Sequence, residues 1–389
     1  MTSTPRQIVL LGATGSIGTS TVDLVRRDPD RFEIVGMTAH TSAAALAELA
    51  GVFEHARLQL TNAEADAALR AERPDLAPRM QDPGPDGLLA LLEQAPGAMV
   101  VNGLVGAAGL APTVTALERG HDVALANKEA LVVGGPLVLD AARRTGARLW
   151  PVDSEHSAIA QCLRGNLHAE LSRIWLTASG GPFRDRDPET LADVGLDEVL
   201  DHPTWDMGPK ITVDSATMMN KGLEVLEAHF LFDVPIERIE VVVHRESIVH
   251  SLIELRDGAF LAQMGAPDMR VPILYALGEG QHLASEVAPW SPLEAPTLHF
   301  EAPDRRRYPC LDLARRAGEV GGAAPIVLNA ANEVAVAALL RGELSFGRIP
   351  GVIEHALERM PLDPVDSVDE ALARDRGTRE QTAEWLRRS

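Results

Sequence analysis

The segment that most constrains this chain is its start. Residues 7 to 12, Gln-Ile-Val-Leu-Leu-Gly, form a short apolar run ending on glycine, and from Ile17 to Val25 apolar residues recur at helical spacing. Between them lies Gly12-Ala13-Thr14-Gly15-Ser16-Ile17-Gly18, so the chain opens as strand, tight turn and helix. That order places unpaired backbone amides and the positive end of a helix where a pyrophosphate would lie. The glycines stand three and three apart instead of in the G-x-G-x-x-G form; it is their place after a strand, opening a helix, that makes the turn a nucleotide-binding candidate. A second strand at Phe32 to Met37 and apolar runs at Ala98 to Val101, Asp122 to Ala126 and Arg148 to Val152 alternate with helical patterns such as Leu110 to Arg119 and Pro136 to Arg144. Such alternation predicts a Rossmann-like, doubly wound parallel sheet.

From Leu171 the texture changes. Ile174 to Thr177 and Ile239 to Val243 read as strands, His250 to Leu255 and Phe260 to Met264 as a hairpin across Arg256-Asp257-Gly258, and Leu223 to Phe232 as a helix. Prolines at 289, 292, 296, 303 and 309 stiffen an extended connector. After it Ala324 to Arg341, Gly351 to Arg359, Val368 to Arg374 and Arg379 to Arg387 read as helices. The expected fold class is α/β: an N-terminal doubly wound domain over 1–152, a central α+β catalytic domain over 153–288, a linker over 289–314 and a C-terminal helical bundle over 315–389.

Charge narrows the partners. Among 389 residues, 36 Lys and Arg face 56 Asp and Glu, a net charge of −20 that repels nucleic-acid phosphates and anionic membrane surfaces. Two cysteines, Cys162 and Cys310, exclude a disulfide framework or a four-thiolate zinc site. Met1 to Gln7 carry no secretory signature, and no run approaches the ~18 apolar residues of a membrane span. A cytoplasmic location is expected. The basic residues are skewed: three lysines, Lys128, Lys210 and Lys221, against 33 arginines. A chain that writes Arg almost everywhere keeps Lys where a compact ammonium is needed.

Several segments can carry chemistry. The second strand runs into Thr38-Ala39-His40-Thr41-Ser42 with no carboxylate to hold a ribose 2′-hydroxyl, so hydroxyls and a histidine favour NADP over NAD. Asp153-Ser154-Glu155 follows the Arg148 to Val152 strand; in extended backbone, residues two apart point the same way, and paired carboxylates suit Mg²⁺ or Mn²⁺, with a third ligand still to be supplied. Ser179-Gly180-Gly181-Pro182, Ser215 and Asn220-Lys221 offer the hydroxyl, amide and ammonium donors that wrap a phosphate ester. His202 to Pro209 sets Trp205 and Met207 in a segment bounded by Pro and Gly, the composition of a lid.

Together these strings resemble the 1-deoxy-D-xylulose 5-phosphate reductoisomerase family. The resemblance runs through Gly12 to Gly18, Ala126-Asn127-Lys128-Glu129, Pro151 to His156, Ser179 to Arg184, Val213 to Glu224, Pro267-Asp268-Met269-Arg270 and Leu328-Asn329-Ala330-Ala331-Asn332-Glu333. It implies an NADPH-dependent oxidoreductase, a homodimer, acting on a phosphosugar with Mg²⁺ or Mn²⁺. It implies Asp153, Glu155 and Glu224 as metal ligands, with Lys128, Ser154 and His202 around the substrate's carbonyl and hydroxyls. Of these, Lys128, Asp153, Glu155, His202 and Glu224 are the expected catalytic residues. Ser179, Ser215, Asn220 and Lys221 become the phosphate pocket, and Trp205 with Met207 the flap. Thr14, Gly15, Ser16, Ile17, Asn127, Glu129 and Gly208 become cofactor contacts, joined by Ala39, His40 and Thr41 at the 2′-phosphate. There the family usually carries a Gly-Lys/Arg-Asn type stretch, so this chain departs from it. A second departure is His244-Arg245-Glu246-Ser247 where His-Pro-Gln-Ser is common, a change expected at a subunit contact or the surface. The implied reaction is retroaldol rearrangement followed by hydride transfer from NADPH, giving 2-C-methyl-D-erythritol 4-phosphate. A plain phosphosugar dehydrogenase would need no acidic triad, and a catalytically dead sensor would need neither the triad nor the lysines.

Overall fold

Short, almost wholly buried apolar strands build the first sheet, as expected of a parallel sheet covered on both faces. The computed structural model describes residues 4–165, 167–202, 208–293 and 297–388, in two units. The first comprises 1–127, 138–157 and 268–287. Its strands are β1 (Arg6–Leu11), β2 (Phe32–Ala39), β3 (Arg57–Leu60), β4 (Met99–Asn102), β5 (Val123–Leu125) and β6 (Leu149–Pro151). All pair in parallel in the order β3-β2-β1-β4-β5-β6, the doubly wound arrangement whose strand order reverses beside β1. Ile8, Leu10, Met37, Leu58 and Val101 form its core with Ile273 of the helix Arg270–Leu277, which brings residues 268–287 into this unit. Arg270 holds Asp268 and Asp23, so the Pro267 to Arg270 string serves this packing.

The second unit comprises 128–137, 158–267 and 288–389. Its sheet is β7 (Leu171–Ala178), β8 (Ile239–Val243), β9 (Val249–Leu255) and β10 (Phe260–Met264), ordered β10-β9-β7-β8, with β7 and β8 parallel and the β9/β10 hairpin antiparallel. Ile174 and Leu176 of β7, Leu223 and Leu226 of the helix Met219–Phe232, and Val327 and Leu328 of the helix Ala324–Leu340 belong to one core. Sheet and C-terminal helices therefore pack as one body, and both units interleave along the sequence, whereas the sequence reading cut the chain in order at 152, 288 and 314.

Two local expectations need correction. Val368 to Arg374 and Arg379 to Arg387 are one helix, Val368–Arg388, running through Gly377. Arg379 Nε bonds Asp375 at 2.6 Å and the buried Thr378 hydroxyl donates to the Arg374 carbonyl, so burial and side-chain bonds offset the weak propensity of Gly377. The alternation argument for Asp153 and Glu155 also fails, because helix begins at Ser154 (Ser154–Cys162). Residues two apart on a helix are turned by about 200°, so strand alternation says nothing of where these carboxylates point. In the His244 to Ser247 stretch the departing residues Arg245 and Glu246 are partly exposed, Arg245 pairing with Asp185 and Glu301, while the buried His244 accepts at Nε2 from the amides of Ile248 and Val249.

Candidate functional site

In the first unit the glycine turn leaves β1 and enters the helix Ser16–Arg27. Gly15 caps that helix without a side-chain bond, so the first-turn amides of Ser16 and Ile17 have no capping side chain. A Cβ at Gly18 would overlap the Gly12 carbonyl oxygen and the Ala13 backbone, which is why the helix can sit this close to the turn only with glycine there. Thr38, at the end of β2, spends its hydroxyl on the Gly12 amide at 3.1 Å and so braces the turn. Ala39 is buried, whereas His40 and Thr41 are exposed beyond it, His40 Nδ1 lying 2.8 Å from Thr61 Oγ1. Asn127 is buried, and its amide donates to the carbonyls of Leu104 and Gly106 at 3.0 Å, fixing the loop after β4. Asp153, Ser154 and Glu155 follow β6, where ligands of open α/β sheets gather, and the Ser154 hydroxyl donates to Glu155 Oε2 at 2.6 Å.

The second unit holds two further groups. In one, His202 Nε2 lies 3.2 Å from Ser179 Oγ and 3.0 Å from Ser215 Oγ, and the Gly181 amide donates to Ser179 Oγ. Burial, then the neighbouring Arg184 charge, hold His202 below the ordinary histidine range. The imidazole is thus kept neutral among hydroxyls, an amide and a nearby guanidinium, a set suited to an anion. In the other, Lys128 Nζ donates to Asn220 Oδ1 at 2.9 Å and to Glu224 Oε1 at 3.3 Å, Asn220 Nδ2 donates to Glu224 Oε1 at 2.6 Å, and Lys221 pairs with the same carboxylate. Asn220, Lys221 and Glu224 follow each other within one turn of the helix Met219–Phe232, so i, i+3 and i, i+4 spacing alone aligns them. Glu224 is 1% exposed, its carboxylate paired with the ammonium groups of Lys128 and Lys221. Ser179 and Ser215 therefore meet through His202, while Asn220 and Lys221 bond Glu224.

Gly208 precedes the helix Pro209–Ala216. Trp205 and Met207 lie outside the described residues. Sequence reasoning missed Asp214 and Asn332, and left Lys210 without a role. Lys210 Nζ lies 2.7 Å from Glu129 Oε1 and 3.0 Å from Asp214 Oδ2, and Asn332 Nδ2 donates to Asp214 Oδ1 at 2.8 Å. Burial works against the Lys210 charge, but Asp214, Glu129 and Glu333 outweigh it and hold the ammonium above the ordinary lysine range. Burial likewise opposes the Glu129 charge, and Lys210 outweighs it, holding that carboxyl low. The scarcity of lysine was the available signal.

A doubly wound sheet with a glycine turn, and beside it in the chain an α+β unit rich in buried Lys and carboxylate, define a dinucleotide-dependent oxidoreductase. Family models described as 1-deoxy-D-xylulose 5-phosphate reductoisomerase match residues 8–135, its C-terminal domain residues 149–232, and the DXP reductoisomerase C-terminal domain residues 264–381. The 1-deoxy-D-xylulose 5-phosphate reductoisomerase of Synechococcus sp. is 48% identical over 381 residues, 97% of this chain and 96% of that protein; that of Pseudomonas putida KT2440 is 47% identical over 392 residues, 99% and 98%. The Zymomonas mobilis enzyme, solved in complex with NADPH, is 39% identical with a TM-score of 0.90 over 98% of this chain and 99% of that one. A DOX-P reductoisomerase solved with NADPH, fosmidomycin and magnesium is 37% identical with a TM-score of 0.93 over 98% of both chains. This chain belongs to the 1-deoxy-D-xylulose 5-phosphate reductoisomerase family.

Proposed function

We propose that this enzyme converts 1-deoxy-D-xylulose 5-phosphate to 2-C-methyl-D-erythritol 4-phosphate with NADPH and a divalent metal, a step of the non-mevalonate isoprenoid route. The observation that carries the reading is the near full-length match to enzymes of this name, one of them solved with NADPH and magnesium.

The residues fit both groups. The turn at Gly18 leaves no room for a Cβ and its first-turn amides lack a side-chain cap, a cradle for a pyrophosphate on Thr14, Gly15, Ser16 and Ile17. Asn127, Glu129 and Gly208 are assigned to the cofactor on the family match, and Ala39, His40 and Thr41 to its 2′-phosphate. Asp153, Glu155 and Glu224 are all-oxygen donors, the chemistry a hard cation takes. When bound, the metal compensates charge on the substrate's carbonyl and hydroxyl oxygens and NADPH supplies the hydride. The chain's own residues do the rest. Ser179, Ser215 and the neutral His202 orient the phosphate-bearing end, with Asn220 and Lys221 adding donors. Lys128 and Ser154 stand for the reacting oxygens, Lys128 as an ammonium already held by Asn220 and Glu224. Trp205 and Met207 are proposed to exclude water.

We further propose a homodimer and a cytoplasmic location. Phe260, Leu261 and Met264 on the edge strand β10 are 38–51% exposed, an apolar edge that a second copy would cover, and the thiols of Cys162 and Cys310 are free. The test of function is NADPH absorbance in the presence of deoxyxylulose phosphate and Mg²⁺ or Mn²⁺. Oxidation that stops with EDTA is expected; turnover unaffected by EDTA, or none with any divalent ion, would overturn it.

A further inference from the structure

Of the three lysines, Lys210 is the one to which the reading above gives no work, and Leu328 to Glu333 is a matched string without a role. The structure joins them. Lys210 and Asp214 are i, i+4 partners on the helix Pro209–Ala216, so one face of that short helix presents an ammonium beside a carboxylate that is 1% exposed. Lys210 reaches from there to Glu129, at the start of the helical stretch Lys128–Thr145. Asp214 is held from behind by Asn332 of the helix Ala324–Leu340, itself fully buried. The neighbouring Glu333 accepts from Asn329 at 2.9 Å and pairs with Arg379 of the last helix at 2.8 Å, adding negative potential at Lys210. A Cβ at Gly135, just past the break in the Lys128 stretch at Gly134, would overlap the Phe230 ring, so the stretch is tight there against the Met219–Phe232 helix, while its first turn meets that helix through Lys128, Asn220 and Glu224.

We infer that Lys210 is a positioning residue for the reaction: clamped between Glu129 and Asp214, it fixes the first turn of the Lys128–Thr145 stretch and thereby aims the Lys128 ammonium at Asn220 and Glu224. This rests on the functional reading above. A compact ammonium suits the place because two carboxylates approach it within 3.0 Å, where a planar guanidinium would need more width. Asn332 explains the matched string, since an amide there anchors the clamp without adding charge. Because Asp214 precedes Ser215, the same clamp orients the hydroxyl that meets His202.

The test is a cycle of Lys210→Met, Glu129→Gln and the double variant, with full chains assayed with deoxyxylulose phosphate, NADPH and Mg²⁺ and rates expressed per folded enzyme. Misplacing a reacting group by about 1 Å costs up to ~100-fold, so each single variant should lose about 10- to 100-fold in kcat, with the KM for deoxyxylulose phosphate within about threefold of wild type. With Glu129 neutral, Lys210 keeps Asp214 but no longer holds the turn that carries Lys128, so the double variant should match Glu129→Gln within about twofold. The double variant also leaves the clamp's net charge unchanged, so it keeps the test open if Lys210→Met alone does not fold. A folded Lys210→Met with wild-type kcat, or a double variant more than about tenfold below Glu129→Gln, overturns the inference. Absence of turnover in the wild type would instead strike the functional reading.

Discussion

Glu224→Gln tests the centre of the proposed site twice over. The side chain keeps its shape and loses its charge, in a place 1% exposed where Lys128, Asn220 and Lys221 all bond the carboxylate. Lys128 and Lys221 are themselves only 6% and 4% exposed. Removing one partner of a buried ion group leaves uncompensated charge and costs about 3–5 kcal/mol. For a cooperative unit of this size, each kcal/mol moves Tm by roughly 2–4 °C, so the ligand-free variant should melt about 10 °C below wild type. Catalysis should fall further than stability explains. Loss of one of three proposed metal ligands should lower kcat at least about 100-fold per folded enzyme and raise the Mg²⁺ concentration for half-activity about 10- to 100-fold. Calorimetry in EDTA reads the first effect and a Mg²⁺ titration of the rate the second. A variant melting within about 2 °C of wild type would refute the buried-charge argument. One that turns over normally with unchanged Mg²⁺ dependence would refute the metal assignment.

Three further outcomes follow from other residues. Ser179→Ala and Ser215→Ala should raise the KM for deoxyxylulose phosphate about 5- to 20-fold and leave the KM for NADPH within twofold, each removing one hydroxyl from the anion set; the opposite split would place that set at the cofactor. Gly18→Ala puts a Cβ into the Gly12 carbonyl, and NADPH binding followed by nucleotide fluorescence should weaken at least about 30-fold while Mg²⁺ response is kept. His202, held low by burial and Arg184, binds its proton more weakly folded than unfolded. Above the ordinary value of 6.5 it contributes nothing to pH-dependent stability, and below it the unfolded state gains protons first and stability falls. Tm of His202→Gln should therefore drop less than wild type between about pH 6.5 and 5; parallel curves would show that His202 titrates normally.

How much could be read in advance differs by element. Five of the six strands of the first sheet were legible because each is a short apolar run bounded by Gly or polar residues, in a parallel sheet buried on both faces, whereas β3, Arg57-Leu58-Gln59-Leu60, alternates polar and apolar residues and was not anticipated. The β9/β10 hairpin announced itself through Arg256-Asp257-Gly258. The last helix was cut in two because Gly377 looks like a stop when nothing shows that Thr378 and Asp375 are buried against neighbours. At Asp153 the available cue, an Asp at the N-cap followed by Glu155 in the first turn, was overlooked in favour of continuing the strand, so an argument built on extended backbone was sound chemistry on the wrong geometry.

The site was legible in its parts and not in its partnerships. Lysine scarcity marked Lys128, Lys210 and Lys221 before any fold was known, and all three proved to be bonded to carboxylates. Helix spacing joins Lys221 to Glu224 and Lys210 to Asp214, but no spacing rule could have joined Lys128 to Glu224 or Lys210 to Glu129, 96 and 81 residues apart and in contact only when the helices pack. The same holds for Asn332: in a string of Ala and Leu it reads as an ordinary polar position in a helix, and only its place against Asp214 shows why an amide stands there. A buried carboxylate needs a donor that adds no charge when a lysine already supplies it. Asp or Lys at 332 would upset that balance, and Leu would leave Asp214 one bond short at a cost of about 1–3 kcal/mol.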